Sequence, residues 1–193
     1  MPEFEKSYKL ILEYEGGYSD ELFDKGGETY KGIARRYSRT WAGWIMIDNL
    51  KEESNFPFNL KNNQILDQMV KKYYRERYWD TLLLDEVISQ ELADELFDIS
   101  VNMGNYKAAK FLQIALNILN RNEVNYFDLV VDGKIGSKTI YTLKMFFTKD
   151  DVSYLIKVIN ILQGNHYIEF MKKSPEQEKF ARGWLNRVIF NKE

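Results

Sequence analysis

Apolar residues recur along the chain at steps of three and four in one segment after another, the period of helices buried on one face. Phe4, Tyr8, Ile11, Leu12 and Glu15 form the first such stripe. Gly16-Gly17 stops it, because glycine supplies the backbone angles a helix end needs. Residues 18–33, broken by Gly26-Gly27 and Gly32, suit a short hairpin or folded loop. A second helix is predicted through Ile33 to Tyr37, followed by a less regular stretch, 40–61, with Trp41, Trp44 and a turn around Pro57.

Helical spacing resumes after Asn62-Asn63. Ile65, Leu66, Met69, Val70, Tyr73 and Tyr74 predict a helix running towards Trp79. Leu92, Leu96, Ile99 and Met103 mark another, and Ala108, Phe111, Leu112, Ala115 and Leu119 a third. Residues 131–136 are a turn-rich break, after which Asp150-Asp151 caps a long helix reaching about Lys172. Ser174-Pro175-Glu176-Gln177 reads as a capped start with proline at the first helical position, leading into Phe180, Trp184 and Val188. The expectation is a mainly α protein with a small β element after the first helix. A soft division near residue 98 separates a lobe at 1–97 from a helical lobe at 98–193.

Composition removes several kinds of chemistry. With no cysteine there is no disulfide, thiol nucleophile or cysteine–metal site. A single histidine, His166, leaves no multi-histidine zinc site and argues against a Ser/His/Asp triad. No metal and no cofactor are expected. Formal net charge is -2, which supplies no global basic field, and no basic recognition helix points to nucleic acid. Residues 1–97 hold 13 Lys/Arg against 19 Asp/Glu (-6), and residues 98–193 hold 14 against 10 (+4). A lopsided charge can steer an anionic polymer, and solvated helix faces produce the same imbalance. The acidic start Met1-Pro2-Glu3-Phe4-Glu5 shows no secretory signal, and no apolar run approaches the ~20 residues that span a bilayer.

One polar residue breaks the apolar pattern. Glu15 shares a face with Phe4, Tyr8 and Ile11, the face turned inward. A carboxyl in partly apolar surroundings finds a partner or stays protonated. A protonated one is the general acid that a glycosidase needs near neutral pH. On spacing alone, Glu15 reads equally as a cap or an arginine partner. Glycoside hydrolysis usually requires a second carboxylate facing the first. Asp24 lies nine residues on, in the glycine-rich segment, with Asp20, Glu21 and Glu28 as competitors and Thr29 offering a hydroxyl for water. Each of these also reads as a turn residue. Tyr18, Tyr30, Trp41 and Trp44 belong to an aromatic crowd in the first half; most such rings are core, and two or three are expected to line a groove for sugar faces. Asp98 and Asn102, one helical turn apart, either point at that groove or bond within helix packing.

The strings EGGY at 15–18 and DKGGETYKGI at 24–33 resemble the opening of the glycoside hydrolase family 108 N-acetylmuramidases. YRERYWD at 74–80, FDISVNMG at 97–104 and AAKFLQ at 108–113 continue the likeness in order. VDGKIGSKTI at 131–140 and FARGWLNRV at 180–188 resemble the predicted peptidoglycan-binding domain that accompanies the family. The resemblance implies a lysozyme-like, mostly helical fold and cleavage of the β-1,4 bond between N-acetylmuramic acid and N-acetylglucosamine. It implies Glu15 as catalytic acid. A further likeness to phage-type lysozymes implies Asp24 as base or water-orienting group and Thr29 as its helper. Tyr30-Lys31 stands where an Asn commonly follows the Thr, and Lys25 where a proline often precedes Gly-Gly.

The implied partner is the glycan strand of peptidoglycan. Without a visible signal, the protein is expected to be made in the cytoplasm and to act on the wall after lysis or export, through a holin or a secretion partner. Two other readings use the same residues: a lytic transglycosylase acting through Glu15, and a wall-binding module without catalysis. A helical regulatory or secretion-related protein is a third.

Overall fold

The computed structural model describes residues 1–14, 16–20 and 27–188, and among these the chain is mainly α with one small sheet. It divides into two compact units, one of residues 3–80 and one of residues 81–193 joined by Met1-Pro2.

In the first unit, α1 (Phe4–Tyr14) buries the expected stripe. Phe4, Tyr8 and Ile11 are all buried, each worth about 1.5–3 kcal/mol of apolar transfer. The Phe4 ring stacks on Tyr8 and meets Trp79 edge-on, both at 5.4 Å between centroids. The glycines after the helix lead into β1 (Tyr18–Ser19), β2 (Thr29–Tyr30) and β3 (Ile33–Ala34), an antiparallel sheet in the order β1-β2-β3. Tyr18 pairs with Tyr30 and Ser19 with Thr29, then Thr29 with Ala34 and Tyr30 with Ile33.

The helix expected through Ile33 to Tyr37 is not there. Lys31 (φ 43°) and Gly32 (φ 76°) form a two-residue turn with both central φ positive, the geometry whose twist matches a tight hairpin. Ile33 and Ala34 therefore pair with β2 and do not coil. The helix lies further on, as α2 (Gly43–Lys51), in the stretch that reads as irregular. Trp44 and Ile47 face inward from it. A Cβ on Gly43 would sit 2.3 Å from the Trp41 ring, so the glycine lets that indole lie flat on the helix start. Next, α3 (Gln64–Tyr74) is capped by Asn63, whose side chain accepts from the Leu66 N–H at 3.1 Å. It widens into a π-helical turn over Arg75–Trp79 that buries Trp79.

The second unit holds α4 (Gln90–Met103), α5 (Asn105–Leu119), α6 (Ser137–Phe147), α7 (Val152–Lys173) and α8 (Ala181–Leu185). Ser89 caps α4 and Asp151 caps α7, each side chain accepting a backbone N–H of the first turn. Leu92, Leu96 and Ile99 from α4 and Ala108, Phe111, Leu112 and Ala115 from α5 are buried. Helix α6 is absent from the expectations, although Ile140, Leu143 and Phe146 form its buried stripe. Ser174 makes no side-chain cap. The proline enters a 3-10 turn, Pro175–Phe180, before α8.

Candidate active site

The sheet of the first unit is held by one carboxylate. Glu28, just before β2, accepts from the Tyr18 hydroxyl at 3.1 Å, from Arg35 at 2.6 Å and from Lys51 at 2.7 Å. Arg35 also forks onto Asp48, with one bond at 2.8 Å and a shorter one to the other oxygen, while its guanidinium lies 5.1 Å from the Trp44 ring centroid. Lys51 approaches Asp48 at 3.6 Å. Two carboxylates and two cations thus join β1, the residue before β2, the residue after β3, and α2.

Burial pushes the Glu28 carboxyl up, but hydrogen bonds and charge from Lys51 and Arg35 outweigh it and hold it below the usual range. A carboxylate whose oxygens already accept from three donors, and whose basicity those donors lower, is a poor acceptor for a proton from water. Glu28 is therefore a weak competitor for the second-carboxylate role and acts as the anchor of the hairpin. The partners Arg35, Asp48 and Lys51 are positions of the clamp that sequence reasoning missed. Their spacing from Glu28 follows no helical or strand period, so only the folded chain brings them together.

Thr29 opens β2, and its hydroxyl donates to the Gly27 carbonyl at 3.0 Å. Tyr30 and Trp44 are each 2% exposed. The Tyr30 hydroxyl donates to the Leu60 carbonyl at 3.4 Å and the Trp44 indole to the Ser38 carbonyl at 2.9 Å. Trp41 is half-buried, stacked on Tyr30 (6.5 Å, 18° between planes) and edge-on to Trp44 and Tyr73. Half-buried Tyr18 meets Phe56 edge-on at 4.8 Å. The four aromatic positions therefore separate into two inner rings, Tyr30 and Trp44, and two with surface left to offer, Tyr18 and Trp41.

Glu15 and Asp24 lie outside the described residues, as does Glu21, while Asp20 is exposed. Asp98 and Asn102 sit on α4 in the second unit. Arg187 donates to Asp98 at 2.6 Å, and Asn102 donates to the Asp98 carbonyl at 2.8 Å and to its carboxylate at 3.2 Å. Burial raises the Asp98 pKa, with Arg187 and Asn102 acting in the opposite direction. Arg187 is thus taken up by a carboxylate of its own chain. Among the described residues no group of His, Asp and Glu is arranged to hold a metal ion.

A mainly helical, lysozyme-like fold with a small clamped sheet after its first helix is the class these features define. Residues 8–104 match the family Glycosyl hydrolase 108, and residues 107–189 match the family Predicted Peptidoglycan domain. The first match spans half of the chain, and the chain belongs to the glycosyl hydrolase 108 family. It is a glycoside hydrolase acting on peptidoglycan. Among the solved structures it is similar to SagA of Brucella abortus, with 23% identity and a TM-score of 0.61 over 96% of this chain and 88% of that one. At that identity the likeness concerns the fold. No curated protein matches the sequence.

Proposed function

We propose that the protein is an N-acetylmuramidase. It cleaves the β-1,4 bond between N-acetylmuramic acid and N-acetylglucosamine, with Glu15 as general acid and Asp24 as base or water-orienting group. The observation that carries this reading is the EGGY string set directly after the buried stripe of α1. Phe4, Tyr8 and Ile11 line the inward face, and the same spacing next falls on position 15. The weakness of Glu28 as a competitor supports Asp24 as the second carboxylate. We place catalysis in the lobe at 1–97 and wall binding in the lobe at 98–193.

In the proposed reaction Glu15 gives its proton to the glycosidic oxygen as the C1–O bond breaks. The ionised Asp24 balances the oxocarbenium charge on the sugar and takes a proton from the water that attacks C1. Thr29 uses its hydroxyl hydrogen on Gly27, which leaves its oxygen lone pairs to accept from that water. Tyr18 and Trp41 provide ring faces for sugars, with Tyr30 and Trp44 setting their positions from behind. On α4, Asp98 holds Asn102, whose exposed amide is suited to an N-acetyl group. No helix among the described residues is long and apolar enough to cross a membrane. As route to the wall we propose a holin, a secretion partner or lysis.

Replacing Glu15 by Gln keeps the shape and removes the proton, so lysis of purified sacculi is expected to fall by at least ~10². A folded Glu15→Gln protein that lyses like wild type ends the proposal. Product masses test the bond chemistry. Hydrated reducing ends are expected, and anhydro sugar ends would assign the same Glu15 to a lytic transglycosylase.

A further inference from the structure

The connection between α5 and α6 has a conformation that its residues resist. Arg121 (φ 56°), Asn122 (φ 55°) and Glu123 (φ 63°) are three consecutive left-handed residues, none of them glycine. Each such residue costs roughly 1–2 kcal/mol, so the segment persists only because its surroundings impose it. The imposition is visible. Asn120 donates to Asp128 at 2.6 Å and accepts from the Glu123 N–H at 3.1 Å. Asn117 brackets Leu129 through both its N–H and its carbonyl, each at 2.8 Å, and the Tyr126 hydroxyl donates to the Leu116 carbonyl at 3.0 Å.

Alongside charged side chains such as Arg121 and Asp128, this loop presents three apolar ones to solvent. Val124, Phe127 and Val130 are 79%, 80% and 80% exposed. Beside the loop, α6 turns out Tyr141, 66% exposed. Between them runs an open groove of about 700 Å³ whose lining includes Asn125, Phe127, Ser137, Lys138, Tyr141 and Met145. Lys138 makes no ion pair among the described residues, and the Asn125 amide nitrogen is buried without a hydrogen-bond partner there.

We propose that this groove seats the glycan strand of peptidoglycan, with Phe127 and Tyr141 against sugar faces and Lys138 meeting a muramyl or stem-peptide carboxylate. The proposal rests on the wall-binding reading of the second lobe and locates it. Flat rings offered to solvent suit the C–H faces of pyranoses, while the tyrosine hydroxyl suits their hydroxyl and acetamido groups. Residues 107–189 hold 13 Lys/Arg against 8 Asp/Glu, a net +5 that favours an anionic polymer. The same charge disfavours the equivalent lobe of a second copy as occupant.

The test is co-sedimentation of the full chain with purified sacculi. The double variant Phe127→Ala/Tyr141→Ala is expected to bind about tenfold more weakly, the loss typical of truncating anchoring rings. Phe127→Tyr/Tyr141→Phe keeps both rings and is expected to stay within about twofold of wild type. Lys138→Glu, at an exposed position, is expected to weaken binding most at low salt. Unchanged binding by both the double-alanine and Lys138→Glu proteins overturns the groove assignment while leaving wall binding intact. A wild type that does not sediment with sacculi removes the wall-binding reading itself. A wild-type dimer that the alanine variant breaks, with no change in sacculus binding, assigns the surface to self-association and overturns the proposal.

Discussion

The β1–β2 hairpin of the first unit and the 120–130 loop of the second solve one problem by opposite means. One fixes the paired strands of a small sheet, the other a run of left-handed residues. In the hairpin, ions do the holding: Glu28 collects Arg35, Lys51 and Tyr18, and Arg35 passes on to Asp48. In the loop, side-chain amides do most of it: Asn117 and Asn120 satisfy backbone groups and neighbouring carboxylates, against three left-handed residues that resist. Ion clamps respond to pH and salt, and brackets made from amides to the backbone respond less. The difference teaches that the candidate catalytic loop and the candidate wall-binding loop can be disturbed separately, each through its own chemistry.

The largest disturbance is expected from Glu28→Gln. It leaves Arg35 and Lys51 facing one another with only Asp48 between them, in a setting where Glu28 is 10% exposed at its side chain. A loss of about 3 kcal/mol is expected, the low end for breaking a buried pair from one side. Urea unfolding of wild type and variant reads it directly. Acid offers an independent check, because the Glu28 pKa is lowered from its ordinary 4.5. Its stabilisation is fully present above that value and is lost as pH falls through the folded pKa. The variant should therefore show a shallower decline below about pH 4.5 than wild type. Equal acid profiles would remove the ion clamp from the account.

Asn120→Ala comes next. It deletes two bonds and strands the Glu123 N–H while the strain at 121–123 remains. A loss of about 2 kcal/mol is expected, together with weaker sacculus binding. If the loop were held chiefly by the Arg121–Asp150 pair at 3.1 Å, Arg121→Ala would do equal damage. That pair is largely exposed at its arginine end, so Arg121→Ala is expected to cost only a few tenths of a kcal/mol, about ~0.5 or less.

The two loops also mark where the fold is legible in the sequence and where it is not. Helices α1, α3, α4 and α5 announce themselves because each buries one face, and burial imposes the period of three and four, while α7 is announced by its Asp151 cap. Ile33–Tyr37 misleads, since it reads as the start of a helix until the two-residue turn at Lys31-Gly32 pairs Ile33 and Ala34 with β2. The left-handed run at 121–123 carries no glycine to signal it. The Glu28 clamp joins residues from separate elements, and no local rule predicts which cation finds which carboxylate. For the candidate site, Tyr18 and Trp41 emerge from composition as rings with surface to offer, but only the folded packing tells them from Tyr30 and Trp44. Glu15 stands out within the sequence because a carboxyl sits where the stripe demands an apolar residue. Asp24 owes its assignment to resemblance.

The smallest effect sharpens the contrast within the second unit. His166 is half-buried on α7, flanked by the rings of Phe111 and Phe170, and Lys107 donates to its Nδ1 at 3.2 Å. Burial first, then Lys107 and Lys173, lowers its pKa from 6.5. The folded chain therefore resists protonation that the unfolded chain accepts. Above pH 6.5 both states hold the ring neutral and nothing is lost; below it the unfolded state gains protons first and stability declines until the folded ring titrates. Asp98, raised by burial, works in the opposite direction and is common to wild type and variant, so it cancels in their difference. His166→Gln keeps an acceptor for Lys107 and removes the titration. Its thermal midpoint, measured from pH 7 to pH 5, should fall by ~1–2 °C less than that of wild type. The Glu28 clamp, whose carboxylates titrate lower, stays intact over this window in both proteins. Parallel curves for the two proteins would mean that Lys107 and the surrounding rings leave the imidazole as easy to protonate as in the unfolded chain.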